Sequence, residues 1–481
     1  MATTTNGRQG AQVAHENGDC THARGHISDS HFYGNNYATP ASRRIFCDVC
    51  RVQRWLDVEV ALAEAQGDLG MIPAEAVQDI ASAARAEAFD LDAIREEVLR
   101  SRHSLVGLLR VFQDACPGDS GQYVHYGATT QDIQDTAQSL EMRDVLDELE
   151  AGLRTLIEQL TDLAEEHATT VALGRTHARA ALPISFGLKV ASWVDELLRH
   201  VERIEAMRPR VLVAELFGGV GTMAGFQGRG PELLGRFAQR LGLHAPLIAW
   251  HPARDRVVEY CMTLAAAAGT FARIADEVRT LSRPEFGEME EAWRYGVVGS
   301  STMPHKRNPE RLEQVVVMGK LAGAQVVAAL GALVGDHERD SRALRVEWAC
   351  VPDVSHFSLA GCAILTTVLD GIIVHVDRLE ANARAVADQI ASESLMLILA
   401  DRIGKANAHD HVYRLTQVSY ETQRPLRDVI PTDPEVLAVL SGEEIAEALR
   451  PESYMGESQL LTRTVVAKAR SWLATAGEVR A

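Results

Sequence analysis

Basic residues are in short supply and scattered. Lys and Arg number 48 against 66 Asp and Glu, a net charge of −18, and they nowhere gather into a run. Phosphate backbones are held by clustered Lys and Arg, so nucleic acid is excluded as the main partner, and an anionic substrate must meet a local positive site. Uninterrupted apolar runs are missing as well: no stretch approaches the roughly 18 to 20 residues of a membrane span. The first thirty residues are polar, without the apolar segment of a signal peptide. These absences lead to the expectation of a soluble cytoplasmic protein with no membrane partner and a disordered tail over residues 1–28. Cysteine is sparse, seven in 481 residues and odd in number, which does not suggest a disulfide framework. Cys47 and Cys50 form a CxxC in a helical-looking stretch; with no second pair to complete a zinc site, they read as a buried pair of small apolar side chains. Cys20, His22 and His26 in the tail are assigned no function. There is no HExxH, and no metal or other cofactor is expected.

Signs of β-structure are equally scarce, since short alternating runs and tight hairpin turns are missing. Helical patterns take their place, and 46% apolar residues suffice for a substantial core. One amphipathic helix is expected from Ala41 to Gly70, with short helices following to about residue 115. A long helix starts near Asp132, where Met142, Val145, Leu146, Leu149, Leu153, Leu156, Ile157, Leu160 and Leu163 recur at spacings of three and four. Further long helices are expected over roughly 183–207, 253–283, 309–335 and 354–388. The class is all-α. Phe217-Gly218-Gly219-Val220-Gly221-Thr222 contains a GxG, but no strand precedes it, and close backbone packing is the better reading.

The segment Gly299-Ser300-Ser301-Thr302-Met303-Pro304-His305-Lys306-Arg307-Asn308-Pro309 has no packing rationale. It gathers hydroxyls, a cation, an amide and two prolines, which suits an anion site with a mobile hydroxyl. Gly296 and Gly299 free the chain before Ser300, and Asn308-Pro309 can open a helix whose apolar pattern begins at Leu312, aiming free amides at the loop. This string resembles the signature loop of the fumarase/aspartase superfamily. His125-Tyr126-Gly127-Ala128-Thr129-Thr130-Gln131-Asp132 resembles that family's first conserved region, and Gly174-Arg175-Thr176-His177-Ala178-Arg179, continuing to Pro183 and Phe186-Gly187, its second. The likeness extends from about Asp29 to the end of the chain.

The resemblance implies a three-domain fold with a central long-helix bundle, drawn here as an N-terminal helical domain over 29–120, a central bundle over 121–370 and a C-terminal helical domain over 371–481. It also implies a homotetramer whose active sites each take the three regions from three subunits. The family's reaction removes a weakly acidic proton next to a carboxylate and expels a group from the neighbouring carbon, typically leaving fumarate. Ser300 is the expected base by its place six residues before Lys306. A serine hydroxyl is far too weakly acidic unaided, but charge-assisted hydrogen bonds contribute roughly 1.5 to 3 kcal/mol each, so two or three donors lower its pKa by several units. Lys306 and Asn308 are expected as donors to the dianionic intermediate, and Thr129, Thr130 and Thr176 as partners of a small dicarboxylate substrate. Gln131, His103, Ser301 and Met303 are carried over as further substrate-binding positions. His177 is the expected general acid or leaving-group partner, and Glu313, thirteen residues beyond Ser300, the acidic residue that orients it.

Within the family the motifs are mixed. His337-Glu338-Arg339-Asp340 is similar to adenylosuccinate lyases, but Arg342-Ala343-Leu344-Arg345-Val346-Glu347-Trp348 replaces their serine-rich phosphate-binding run, and His103-Ser104-Leu105 lacks their aspartate. Glu347-Trp348, the segment Leu182 to Ala191 and the ending Pro451-Glu452-Ser453-Tyr454-Met455-Gly456 look more like carboxymuconate cycloisomerases, whose bacterial members usually have an aromatic residue at the place of His177. Arg179 stands where the family usually has glutamine, and its paired donors suit two coplanar oxygens, of a carboxylate or a nitro group. The combination is similar to the nitrosuccinate-lyase branch, and elimination of nitrous acid from nitrosuccinate to give fumarate is the specific expectation. The alternatives are a 3-carboxy-cis,cis-muconate cycloisomerase, an adenylosuccinate lyase and a catalytically silent structural relative. The joint presence of Ser300, Lys306, Asn308, His177 and the threonine pair argues against the last.

Overall fold

The computed structural model describes residues 26–478, so most of the expected tail lies outside the described residues. Its last part is packed: Ile27–Asp29 forms a 3-10 turn, Ser28 is buried, and Arg43 donates to the Ser28 carbonyl.

Thr39 and Ser42 cap the short helix α1 (Pro40–Phe46) reciprocally. The chain then breaks at Cys47, where ψ is 150°, before α2 (Asp48–Asp68), so the single helix expected from Ala41 is two. Gly70, at φ +63°, ends the segment as expected. The short helices α3 (Ala74–Ala83), α4 (Leu91–Ser101) and α5 (Val106–Ala115) follow.

α6 (Thr130–Glu166) has 37 residues and is the spine of the molecule. All of its expected apolar stripe except the half-buried Leu163 is fully enclosed. The first three turns are buried too, although polar: Asp132, Asp135, Thr136 and Ser139 are each 0% exposed. α7 (Phe186–Val211), α9 (Asp255–Leu281), α10 (Glu310–Gly331) and α11 (Ser341–Leu369) complete a bundle around α6, with α8 (Gly230–Leu241) packed on α2. The helix expected over 354–388 starts earlier, at Ser341, where Asp340 accepts the N–H of Arg342. It stops at Leu369, and α12 (Val376–Ala385) is separate.

The class is all-α, with one local exception to the missing hairpins. β1 (Val171–Thr176) and β2 (Arg179–Ser185) pair antiparallel, with Val171 opposite Ser185 and Thr176 opposite Arg179. β3 (Met289–Glu290) and β4 (Ile373–Val374) add a two-residue pair. Beyond α12 lie α13 (Ala387–Ile390), α14 (Ser392–Ile403), α15 (Lys405–Thr422), α16 (Leu426–Val429), α17 (Pro434–Leu437) and α18 (Gly442–Ala448). They enclose a second apolar core that includes Leu395, Leu399, Leu415 and Ile430, while α19 (Ser458–Glu478) returns to pack on α6 and α7.

Three helices, α9, α10 and α11, are long and apolar enough to cross a membrane by length and composition, contrary to the expectation from unbroken runs. Scattered polar residues in alanine-rich helices hide this length from a search for consecutive apolar residues. The apolar windows of α9 and α11 are 61% and 72% buried inside the bundle, whereas that of α10 is 22% buried. Val327, Leu330 and, just past the helix, Val334 stand exposed along it.

Candidate active site

The 299–309 loop runs into the N-terminus of α10 and is tied at its base. Asn308 Nδ2 donates to the Gly299 carbonyl at 2.6 Å. A side chain at Gly299 has no room, because its Cβ would lie 2.3 Å from the Lys306 carbonyl and 2.9 Å from the Trp293 ring. Inside this clasp the Ser300 hydroxyl accepts the main-chain N–H groups of Met303 (3.0 Å) and Thr302 (3.3 Å). Those are two of the donors an alkoxide needs, supplied by the loop itself. Ser301, Met303 and Lys306 face outward. One N–H of the Asn308 amide is engaged within the loop, and the second remains a donor. Glu291 accepts the N–H of Leu312 at 3.0 Å in the first turn of α10, and burial raises its pKa.

His177 sits at the tip of the β1–β2 hairpin. His177 and Ala178 are consecutive left-handed residues, with φ +49° and +62°, and Thr176 pairs with Arg179 across them, as in a two-residue primed turn. Thr176, His177 and Arg179 are all exposed. Below the tip the hairpin is anchored: Arg175 donates to Glu288 (3.0 Å for Nη1 to Oε2) and lies over the Phe286 ring, 4.7 Å from its centre. The tip is thus held out from a fixed base.

The two threonines open α6, and Thr129 and Asp132 cap it reciprocally. Thr130 Oγ1 lies 3.5 Å from His103 Nε2, and Arg339 Nη1 donates to Thr129 Oγ1 at 2.5 Å. Two hydroxyls, an imidazole and a guanidinium therefore converge at one end of the bundle. Arg339 belongs to the His337-Glu338-Arg339-Asp340 motif, and nothing in a sequence places it against a residue 210 positions away.

Under this surface lies a buried charge network. Asp132 accepts the N–H groups of Thr129 (2.9 Å), Phe217 (3.0 Å) and Gly218 (2.9 Å), and lies 3.0 Å from His251 Nε2. The glycine turn is thus held by a side-chain carboxylate, where its sequence suggested close backbone packing. Arg254, itself buried, donates to both oxygens of Asp135 (2.8 and 3.0 Å) and to Glu347 Oε1 (2.7 Å). Gln131 is 4% exposed, and its Nε2 donates to Asp135 and the His251 carbonyl, which ties its NH2 group into this network. Asp135 lies one turn along α6, while the His251 carbonyl, 120 positions away, is brought near only by the tertiary fold.

Asp132, Glu215 and His251 place potential ligand atoms within 4.8 Å of one another. They do not fit a divalent cation. The Asp132 oxygens already face three main-chain N–H groups, and the Glu215 carboxyl, pushed up to about 10 by burial and by Asp135 and Asp132, keeps its proton. Glu215 Oε1 and His251 Nδ1 are buried without partners.

Within one chain the threonines, His103 and Arg339 meet. Among the described residues no hydrogen bond or ion pair joins His177 to Ser300, Lys306 or Glu313, and Glu313 is exposed on α10.

A long-helix bundle carrying these three segments defines a lyase, and comparison with known proteins agrees. The family described as "Lyase" matches residues 35–327, and that described as "Adenylosuccinate lyase C-terminus" matches residues 388–465. An N-acetyl-S-(2-succino)cysteine lyase of Dickeya dadantii is 36% identical over 433 residues, 90% of this chain and 95% of that protein. An adenylosuccinate lyase of Methanocaldococcus jannaschii is 34% identical, covering 89% of this chain and 94% of that protein. The 3-carboxy-cis,cis-muconate lactonizing enzyme of Pseudomonas putida superposes with a TM-score of 0.84 at 31% identity, over 91% of this chain and 98% of that one. The chain belongs to the fumarase/aspartase superfamily. It is an enzyme of the lyase class.

Proposed function

We propose that this enzyme eliminates nitrous acid from nitrosuccinate to give fumarate. Ser300 Oγ takes a proton from the methylene carbon, the electron pair forms the double bond, and nitrite leaves from the carbon that carried the nitro group. The observation that carries this reading is the Ser300 hydroxyl, which already faces two main-chain N–H groups at 3.0 and 3.3 Å and so has stabilisation ready for its alkoxide. Lys306 offers a mobile positive charge to the dianionic intermediate. Thr129, Thr130, His103 and Arg339 offer hydroxyl and cationic partners for one carboxylate. Arg179, beside His177 on the exposed hairpin tip, offers paired donors to the two oxygens of the departing nitrite. His177 supplies a proton at the same place, and Glu313 orients it.

These groups come together between copies of the chain in a homotetramer. This is supported by the outward-facing hairpin tip, by the missing contacts between His177 and Ser300 within one chain, and by the uncovered apolar face of α10. Light scattering on the purified protein tests the assembly, and a monomer at working concentration refutes it.

The reaction is tested by incubating purified protein with nitrosuccinate and measuring fumarate and nitrite together against an enzyme-free control. Equimolar enzyme-dependent release is expected, and release of neither product overturns the substrate. A second reading, elimination of a thiol from a succinyl thioether, is favoured by the name of the Dickeya relative. Fumarate release from such a thioether, without activity on nitrosuccinate, would establish it.

A further inference from the structure

The CxxC motif is not the buried apolar pair that its sequence suggested. Cys47 and Cys50 are both partly exposed, whereas Cys116, Cys261, Cys350 and Cys362 are buried, and all six are free thiols. We propose that Cys47 and Cys50 form a redox-active dithiol that closes reversibly into an intramolecular disulfide by exchange with a small-molecule disulfide.

The geometry is that of a helix start. Cys47 is the N-cap of α2, and its Sγ accepts the main-chain N–H of Cys50 at 3.4 Å, which holds the Cys47 thiol against the backbone of Cys50. With φ −69° and ψ 150°, Cys47 has non-helical dihedrals while its carbonyl accepts the N–H of Arg51 at 2.9 Å as the first bond of α2, so only its side chain has to turn toward Cys50. Side chains three apart at a helix surface have Cβ atoms about 5 to 6 Å apart, and a disulfide needs about 3.5 to 4.5 Å, so the adjustment is small. A helix N-terminus also favours negative charge, as a reacting thiolate requires. The Cys50 thiol is held above its ordinary pKa, first by its hydrogen bond to Cys47, then by burial and the Cys47 charge, against the pull of Arg54 and Arg44. Cys47, at the N-cap itself, is the thiol that attacks first in the proposed exchange.

In the first step the Cys47 thiolate attacks one sulfur of the external disulfide, forming a mixed disulfide and releasing one thiolate. Cys50, on losing its proton, attacks Cys47 Sγ and releases the second. The protein dithiol is oxidised by two electrons, and the external disulfide is reduced to two thiols. The helix that bears this pair also supports the first motif segment: Glu59 lies 2.7 Å from His125 Nδ1, and Gln66 donates to the Tyr126 carbonyl at 2.7 Å.

Trypsin cuts after Arg44 and Arg51, so both cysteines fall in the single peptide Ile45–Arg51. The full-length enzyme, with Cys20→Ser to remove the remaining cysteine, is equilibrated natively in mixtures of reduced and oxidised glutathione, quenched with iodoacetamide, digested and weighed. As the oxidised form increases, the peptide is expected to lose both alkyl labels and become two hydrogens lighter than the dithiol. Cys50→Ser is expected to stop the sequence at a glutathione mixed disulfide on Cys47. A peptide that stays doubly alkylated at every ratio overturns the proposal, and so does one that stops at a mixed disulfide with both cysteines present.

Discussion

Replacing Glu215 with glutamine is expected to alter the pH dependence of folding more than the fold itself. Glu215 Oε2 accepts the N–H of Trp250 at 2.9 Å, a bond glutamine can keep, while Oε1 is buried without a partner. Burial first, then the charges of Asp135 and Asp132, push this carboxyl from 4.5 up to about 10, outweighing the Trp250 N–H and Arg254. The folded chain therefore keeps a proton that the unfolded chain releases. With a raised folded-state value, the contribution to stability is fully present below pH 4.5 and is lost progressively as pH rises toward about 10. One pH unit is worth about 1.4 kcal/mol, so the wild type loses about 3 kcal/mol from this group between pH 5 and pH 7. Glutamine has no proton to lose. Guanidinium unfolding followed by helical circular dichroism, at matched protein concentration, should show Glu215→Gln gaining about 3 kcal/mol on the wild type over that interval. A gap that is the same at both pH values would mean that Glu215 is ionised in the fold, and would refute the reasoning.

Ser300→Ala is expected to lower kcat by a factor on the order of 10² to 10⁴ while leaving assembly and unfolding midpoint unchanged; turnover at the wild-type rate would remove Ser300 as the base. Arg254→Met leaves the Asp135 and Glu347 carboxylates buried together, and is expected to cost about 3 to 5 kcal/mol of unfolding free energy in the same denaturation assay. A loss below about 1 kcal/mol would mean that the pair relaxes by taking up protons or water. Prolonged dialysis against chelator should change neither activity nor melting temperature, because at the Asp132, Glu215 and His251 cluster the Asp132 oxygens already accept three main-chain N–H groups and the Glu215 carboxyl keeps its proton. A drop in either, reversed by a divalent metal, would contradict that account.

Legibility in the sequence followed how local each signal was. The stripe from Met142 to Leu160 was readable because one face of α6 is buried against neighbours that all prefer apolar side chains. The polar turns just before it were not readable as core, because Asp132 and Asp135 become buriable only through partners such as Phe217, His251 and Arg254, more than eighty positions away. The hairpin escaped for a different reason. Its turn residues, His177 and Ala178, are neither Gly nor Asn, and β1 and β2 do not alternate cleanly, so nothing local announces a primed turn. The motif around Ser300 stands out from the packing pattern by its composition alone. That Asn308 faces inward, to the Gly299 carbonyl, is a property of the closed loop that spacing does not reveal.

The clasp between Asn308 and Gly299 has a consequence for how the loop can move. It closes the segment around Ser300 into a ring whose internal hydrogen bonds, from Met303 and Thr302 to the serine, are independent of what lies outside. Gly296, at φ +95°, lies beyond the clasp and is free of close neighbours. In the proposed mechanism the ring turns between Gly296 and Pro309, where the loop enters α10, as a rigid flap. Ser300 then carries its own solvation with it, equally equipped in the open and closed positions. Discrimination among substrates falls to whichever molecule holds the flap down longest, and the strength of the base is the same for all of them.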